Sequence, residues 1–280
     1  MRLGRFVILT LCSFAVFALT MTFSPLLPAW GNWAARGGLI VLFGGLWLAA
    51  RGDGPLSAYR PVFFAWLAAV VGLSLGFYLC DPLLERLHLT TNTPEGSAVA
   101  KLLQASLIVF SVIVMAKLFG ENLGSLYIRK GRLLLGVGIG LVGCAVFVGL
   151  TFVPGGPFLQ AATTAGGASK LLPLVPWVLL FVLSNAFMEE LLFRGLLIGR
   201  FEPLVGKWLA LLATAIPFAL AHVQVTYTAQ VAGFVAFVFV LGLMWGWLMQ
   251  KSRGIWGSVL FHAGADVAVI LPIFQSLGAS

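Results

Sequence analysis

Charge is what this sequence lacks most: Asp, Glu, Lys and Arg make up 9% of its 280 residues, against roughly 25% in an ordinary soluble domain. Combined with 60% hydrophobic residues and a mean hydropathy of +1.04, that scarcity excludes water as the main solvent of the fold. Acids are scarcer than bases, nine against seventeen. The resulting net charge of +8 does not point to nucleic acid, because the bases are scattered between apolar runs and form no basic stripe or nucleic-acid motif. Cysteine is also sparse. Cys12, Cys80 and Cys144 stand singly within or at the end of apolar runs, with no C-x-x-C spacing and an odd total. That excludes a disulfide framework and favours small core or lipid-facing residues. Polar stretches long enough for a separate soluble domain are lacking too.

What is present is one apolar run after another. A run of about 18 residues or more is long enough to cross the hydrocarbon core as a helix. Such runs cover roughly 6–23, 34–50, 61–80, 101–119, 133–153, 171–199, 208–223, 229–250 and 255–272. The expected fold is therefore all-α, a polytopic transmembrane helix bundle of about eight to nine spans. The lower count applies if the second run, with Gly37, Gly38, Gly44 and Gly45, is a half-inserted hairpin. Arg2 and Arg5 precede the first run as in a signal peptide, but the run exceeds the usual apolar region of about 7–15 residues and no A-x-A site follows. A retained first helix is expected.

Cytoplasmic loops collect Lys and Arg, so the bases test the topology. With the N-terminus inside, the inner side holds twelve: Arg2, Arg5, Arg51, Arg60, Lys117, Arg129, Lys130, Arg132, Arg200, Lys207, Lys251 and Arg253. The outer side holds Arg36, Arg86, Lys101 and Lys170, and Arg194 is left within a span. The asymmetry predicts an integral multi-pass protein of a bacterial-type inner membrane, N-terminus in the cytoplasm. The segment 154–170, rich in Gly, Ala, Thr and Pro, is expected as an outer loop. The segment 81–100, with Asp81, Glu85, Arg86, His88 and Glu95, is expected as a solvated one. The chain divides into N-terminal transmembrane helices over 1–153 and a second unit over 171–272.

The second unit holds the functional signal. An ionisable side chain near the bilayer centre costs at least about 2.5–3.5 kcal/mol on insertion scales, so such residues face the bundle interior and find partners. Six fall in the last four spans, where the active site is expected. In LSNAFMEELLFRGLL, Glu190 and Arg194 are four apart and share a helix face, within pairing reach. Glu189 is turned about 100° from Glu190, toward a different neighbour. A carboxylate without a cation in an apolar span is a candidate general base. In PFALAH, Phe218 and His222 share a face after a kink at Pro217. In FHAGAD, His262 and Asp266 do the same, and Gly264 between them allows close backbone approach. Counted at ~1.5 Å per residue from the inner-side bases, Glu189 and His262 lie roughly 13–17 Å deep and His222 a few Å deeper. Convergence near the middle of the bilayer is expected. A lone Glu–Arg pair is commonly structural glue, but two histidines, a spare glutamate and an aspartate at one depth are not explained that way.

These residues resemble a known family, the CPBP intramembrane proteases, comprising CAAX prenyl endopeptidases and bacteriocin-processing enzymes and also called the Abi family. Its pattern is E-E-x-x-x-R, then F-x-x-x-H, then H-x-x-x-N or D. Here the three stand as Glu189-Glu190-Leu-Leu-Phe-Arg194, Phe218-Ala-Leu-Ala-His222 and His262-Ala-Gly-Ala-Asp266, in order and each in its own apolar run. The resemblance implies that 171–272 is the catalytic transmembrane core and that Glu189 and His222 activate the hydrolytic water. By the same resemblance, His262 and Asp266 stabilise the oxyanion or complete the polar site, and Glu190, Arg194 and Phe218 organise it. Asp266 stands where the prenyl-endopeptidase branch typically has Asn. A neutral amide donates to an oxyanion and an ionised carboxylate does not, so Asp266 is protonated, orients His262 or helps bind a metal. The sequence has no H-E-x-x-H. His222, His262 and Glu189 nonetheless offer a zinc site with an open water position, beside metal-free hydrolysis, which needs no cofactor.

The expected function is intramembrane endopeptidase, of glutamate or metallo type, acting on a peptide or membrane-associated protein. A non-proteolytic membrane scaffold regulating a partner protein is the alternative, and it predicts function surviving Glu189→Gln. A proton-coupled transporter is the third, predicting flux driven by a pH gradient. The bilayer and a peptide or protein substrate are the partners expected, nucleic acid is not, and no oligomeric state follows from the sequence.

Overall fold

The computed structural model describes residues 2–153, 168–226 and 228–278, and all regular structure among them is helical. The first five long helices are α1 (Arg2–Phe17), α2 (Ala29–Ala49), α3 (Arg60–Arg86), α4 (Pro94–Leu118) and α5 (Leu133–Leu150). After the short α6 (Ala168–Leu171) come α7 (Val175–Glu190), α8 (Ile198–Val205), α9 (Lys207–Leu220), α10 (Val231–Ser252) and α11 (Trp256–Leu277). Every apolar run forms a helix. Seven helical stretches among the described residues are long and apolar enough to cross a membrane. The two runs left out of the seven differ in cause: α9 has only 14 residues, and α2 is 21 residues long but diluted by Asn32, Arg36 and its glycines. The half-inserted hairpin, the alternative for the second run, is not formed, because α2 is one uninterrupted helix packed along α3. Of the expected loop 154–170, residues 154–167 lie outside the described residues, and the rest begins α6. The solvated loop expected over 81–100 is shorter than its charges suggested, since α3 runs through Arg86 and α4 starts at Pro94, with Asp81, Glu85, Arg86, His88 and Glu95 all exposed.

The helix ends sort the bases as the alternation predicts. At one end, the Arg129 Nε–H donates to the Arg253 carbonyl at 2.7 Å, Arg200 pairs with Glu121 at 3.2 Å, and Gln250 donates to the Lys207 carbonyl at 3.3 Å. Arg51 and Arg60 both stand over Trp47, which packs on Phe119 at that same end. Two bases counted on the opposite side are not loop residues at all. Arg36 is 1% exposed, donating to the Thr20 carbonyl and to Ser24 Oγ, both at 2.9 Å, with its guanidinium over Phe77. Lys101 lines a central cavity. A long base near a helix end buries its stem and head where carbonyls, hydroxyls or aromatic faces receive them, and sequence position alone does not reveal that.

The N-terminal helices are built into the walls of the later ones. α1 packs on α9, α4 on α7 and α5 on α11, and one continuous apolar core includes residues of both halves. The α5–α11 contact is closest. A Cβ on Gly140 would stand 2.5 Å from the Gly257 carbonyl, and one on Gly264 would stand 2.3 Å from Cys144 Cα. With little hydrophobic drive between helices in lipid, such small-residue seams supply packing by close backbone approach.

Candidate active site

The local fold around the Glu-Glu motif departs from the regular helix expected through 171–199. α7 ends at Glu190, and Leu191–Gly195 form a π turn, closed by the Leu196 N–H donating to the Leu191 carbonyl at 2.8 Å. π turns hold one residue more per turn than an α-helix and concentrate at functional sites. Arg194 sits inside this turn and reaches back: its Nη1 donates to Glu190 Oε1 at 2.9 Å, both side chains fully buried. The guanidinium lies over Phe218, its carbon 3.9 Å from the ring centroid, and 5.5 Å from that of Trp245.

His262 joins the motifs. Its Nδ1 is 3.0 Å from the same Glu190 Oε1 that Arg194 holds, and its Nε2 is 3.5 Å from both Glu189 Oε2 and Asp266 Oδ1. The two glutamates thus reach one imidazole from its two nitrogens, where a regular helix face had suggested separate neighbours. The ring is stacked on Trp245 at 3.8 Å and 10°, and Ser258 Oγ–H donating to the Trp245 carbonyl at 2.8 Å ties α10 to α11 behind it. Carboxylates at both nitrogens and an indole on one face leave the ring little rotational freedom. Asp266 is held from its other oxygen, Oδ2, which accepts from the Asn185 Nδ2–H at 3.0 Å.

His222 lies just past the end of α9, not within the helix as its spacing suggested. Its backbone N–H turns to the Ala219 carbonyl at 3.0 Å, and the ring Nδ1, 2.8 Å away, takes the Phe218 carbonyl instead. A carbonyl only accepts, so Nδ1 carries the proton, and in the neutral ring Nε2 keeps its lone pair. Phe218 meets this ring edge-on at 4.8 Å and the His262 ring at 5.9 Å, standing between the two histidines.

All four residues proposed from sequence for chemistry, Glu189, His222, His262 and Asp266, line one cavity of about 260 Å³. Phe218 lines it too, while Glu190 and Arg194 support it from behind. Of the other lining residues, three that bear on the chemistry had not been singled out for the site. Asn185 stands one turn before Glu189, and that i, i+4 polar pair in an apolar span was the signal for it. Trp245 is one of nine tryptophans, and nothing in its neighbourhood marks it. Lys101 reaches in from α4, its Nζ bonded to Gln104 Oε1 at 3.0 Å and 5.3 Å from the Phe181 ring centroid. Among the described residues, no group of three or more His, Cys, Asp or Glu side chains is gathered to hold a metal ion. His222 commits Nδ1 to the Phe218 carbonyl, which leaves Nε2 as its one nitrogen for a ligand.

Residues 171–268 match the family model for the type II CAAX prenyl endopeptidase Rce1-like proteins. Over this segment, about a third of the chain, the sequence is similar to the CAAX-type intramembrane proteases. No curated protein and no solved structure matches the chain. The CAAX-type segment contributes Asn185, Glu189, His222, Trp245, His262 and Asp266 to the cavity, whereas Lys101 and Phe147 come from helices outside it.

Proposed function

We propose that the protein is an intramembrane endopeptidase that hydrolyses a peptide bond of a peptide or membrane-associated protein, using water activated by Glu189 and His222. The observation that carries this reading is the shared cavity: a carboxylate and an imidazole with a free nitrogen face it, and a fixed set of donors stands beside them. Glu189 Oε2 is buried, makes no hydrogen bond among the described residues and stands 3.5 Å from His262 Nε2, so its lone pairs are uncommitted. In the proposed cycle, Glu189 takes the proton of a water that His222 Nε2 orients by accepting its second hydrogen. The hydroxide adds to the substrate carbonyl carbon, and the oxyanion forms beside His262 Nε2–H and the Asn185 amide. Collapse breaks the C–N bond as the proton passes to the leaving amine, giving one carboxylate and one amine product. Asp266, hydrogen-bonded to Asn185, orients both of these donors. Fixed donors in a water-poor site are worth far more than the same groups in water.

At about 260 Å³ the cavity is slightly below the usual ligand-pocket range of about 300–1,000 Å³, in keeping with an extended peptide whose flanks lie between helices. Lys101 balances the acidic lining. The basic end of the bundle is assigned to the cytoplasm of a bacterial-type inner membrane, with the N-terminus inside.

The test is proteolysis by the purified protein in liposomes against a library of peptides and membrane-protein segments, for the wild type, Glu189→Gln and His222→Ala, with and without chelator. Loss of cleavage by about 10²–10⁴-fold in both variants is expected. Chelator-sensitive cleavage would move the chemistry to zinc. Cellular function that survives Glu189→Gln, with no cleavage of any substrate, would sink the protease reading in favour of a scaffold.

A further inference from the structure

A second cavity, of about 410 Å³, lies away from the site between α1, α2 and α3. Its walls are apolar, with Leu9, Leu39, Phe43, Phe63 and Trp66 among them, and Ile8, Leu42 and Leu56 on its rim are exposed to the surroundings of the bundle. Its two polar features sit at one end. They are Arg5 and Tyr59, both lining residues and each with a polar head on its side chain.

The groove has the length of one leaflet. Along α1 it is lined from Arg5 to Ala15, ten helical steps or about 15 Å, which is half the ~30 Å hydrocarbon core. Leu46 to Leu39 on α2 and Tyr59 to Trp66 on α3 follow the same direction, away from the end where the bases collect. The polar end therefore lies at headgroup depth and the apolar end near the bilayer middle. Arg60 follows Tyr59 directly and shares Trp47 with Arg51, next to the lining residue Leu46, so three guanidiniums collect at the end of the bundle where the groove has its polar end. None of the three makes an ion pair among the described residues, and Asp53, the acid on the nearby 50–59 loop, pairs with none of them within 4.0 Å.

We propose that this groove is a binding site for one anionic phospholipid of the leaflet at the basic end, an acyl chain lying along α1 and the phosphate on Arg5 and Tyr59. The apolar walls fix the class of tail, and the unpaired guanidiniums fix the sign of the head. Juxtamembrane bases attract anionic lipids at close range, and a built groove adds stoichiometry to that attraction. The site belongs to the N-terminal helices and is independent of the hydrolytic chemistry.

The experiment titrates delipidated full-length protein in detergent with dioleoyl phosphatidylglycerol or dioleoyl phosphatidylcholine and counts bound lipid by native mass spectrometry. One phosphatidylglycerol is expected to bind at least tenfold tighter than phosphatidylcholine. Arg5→Gln is expected to reduce that preference to within about twofold. Arg2→Gln, at the same helix end but outside the groove, is expected to keep it. Ala15→Trp, which fills the apolar end from an outward-facing position, is expected to remove the tight site for both lipids. Thermal unfolding of each variant shows that it is folded. Equal affinity for the two lipids overturns the proposal, as does a preference lost equally in Arg2→Gln. A dimer that Ala15→Trp splits, with no lipid bound by the wild type, would assign the groove to a second copy of the chain and likewise overturn it.

Discussion

At the scale of single residues, Glu189 and Glu190 are neighbours in sequence with opposite energetic parts. Glu190 neutralises a fully buried Arg194 and also holds His262, so Glu190→Gln leaves a cation uncompensated in the core. Breaking a buried pair in this way costs about 3–5 kcal/mol, and a matching fall in thermal stability in detergent is the expected result. Glu189→Gln leaves the Arg194–Glu190 pair intact and alters only the longer 3.5 Å approach to His262 Nε2, so it should move the unfolding midpoint far less while removing hydrolysis. If both variants unfold alike, the division of labour is wrong. Asn185→Leu frees Asp266 and removes the amide donor; a loss of about 10–100-fold in turnover at unchanged KM is expected, the scale of losing a positioning partner. Much of this site was legible in the sequence, since every ionisable residue in an apolar span costs free energy and so marks itself. Trp245 was not, because an indole in a hydrophobic run is no anomaly, and Lys101 was not, because a lysine near a helix end reads as a topology signal until α4 is seen against α7.

At the scale of elements, helix packing sets how close the motifs come. Gly264 has Cys144 of α5 pressed against it, so even a methyl at that position meets backbone at 2.3 Å. Gly264→Val should push α5 off α11, costing about 1–3 kcal/mol as over-packing does, and should move His262 relative to Glu190. Loss of both stability and cleavage is the expected outcome. Retained cleavage would mean that α11 tolerates the shift. The sequence pattern located all nine apolar helices, because length and hydropathy are local quantities. It missed the π turn and the early end of α9, because these depend on which oxygen a side chain finds, the Glu190 carboxylate for Arg194 and the Phe218 carbonyl for His222.

At the scale of the whole molecule, the bases were a sound guide to which helix ends lie together, since long-range hydrogen bonds join Arg129 to Arg253 and Arg200 to Ser125 and Glu121. Reporter fusions should place the N-terminus and the loops at Arg132, Arg200 and Arg253 on one side of the membrane, and the C-terminus on the other. A reporter at residue 203 facing opposite to one at 253 would overturn the alternation. Mutually supporting halves also imply that a chain starting at 171 lacks the α4 and α5 walls of its own site, and the α1 packing behind α9. The π turn carries a further consequence, best put genetically. Residues 191–195 hold one residue more than an α turn needs, so a single-codon deletion there leaves a good helix and a readable phenotype. Removed before Arg194, that codon breaks the register with Glu190 and ends activity. Removed after it, the catalytic spacing survives and the remaining residues close an α turn, so Arg200 keeps its side toward Glu121 and the anchor is retained.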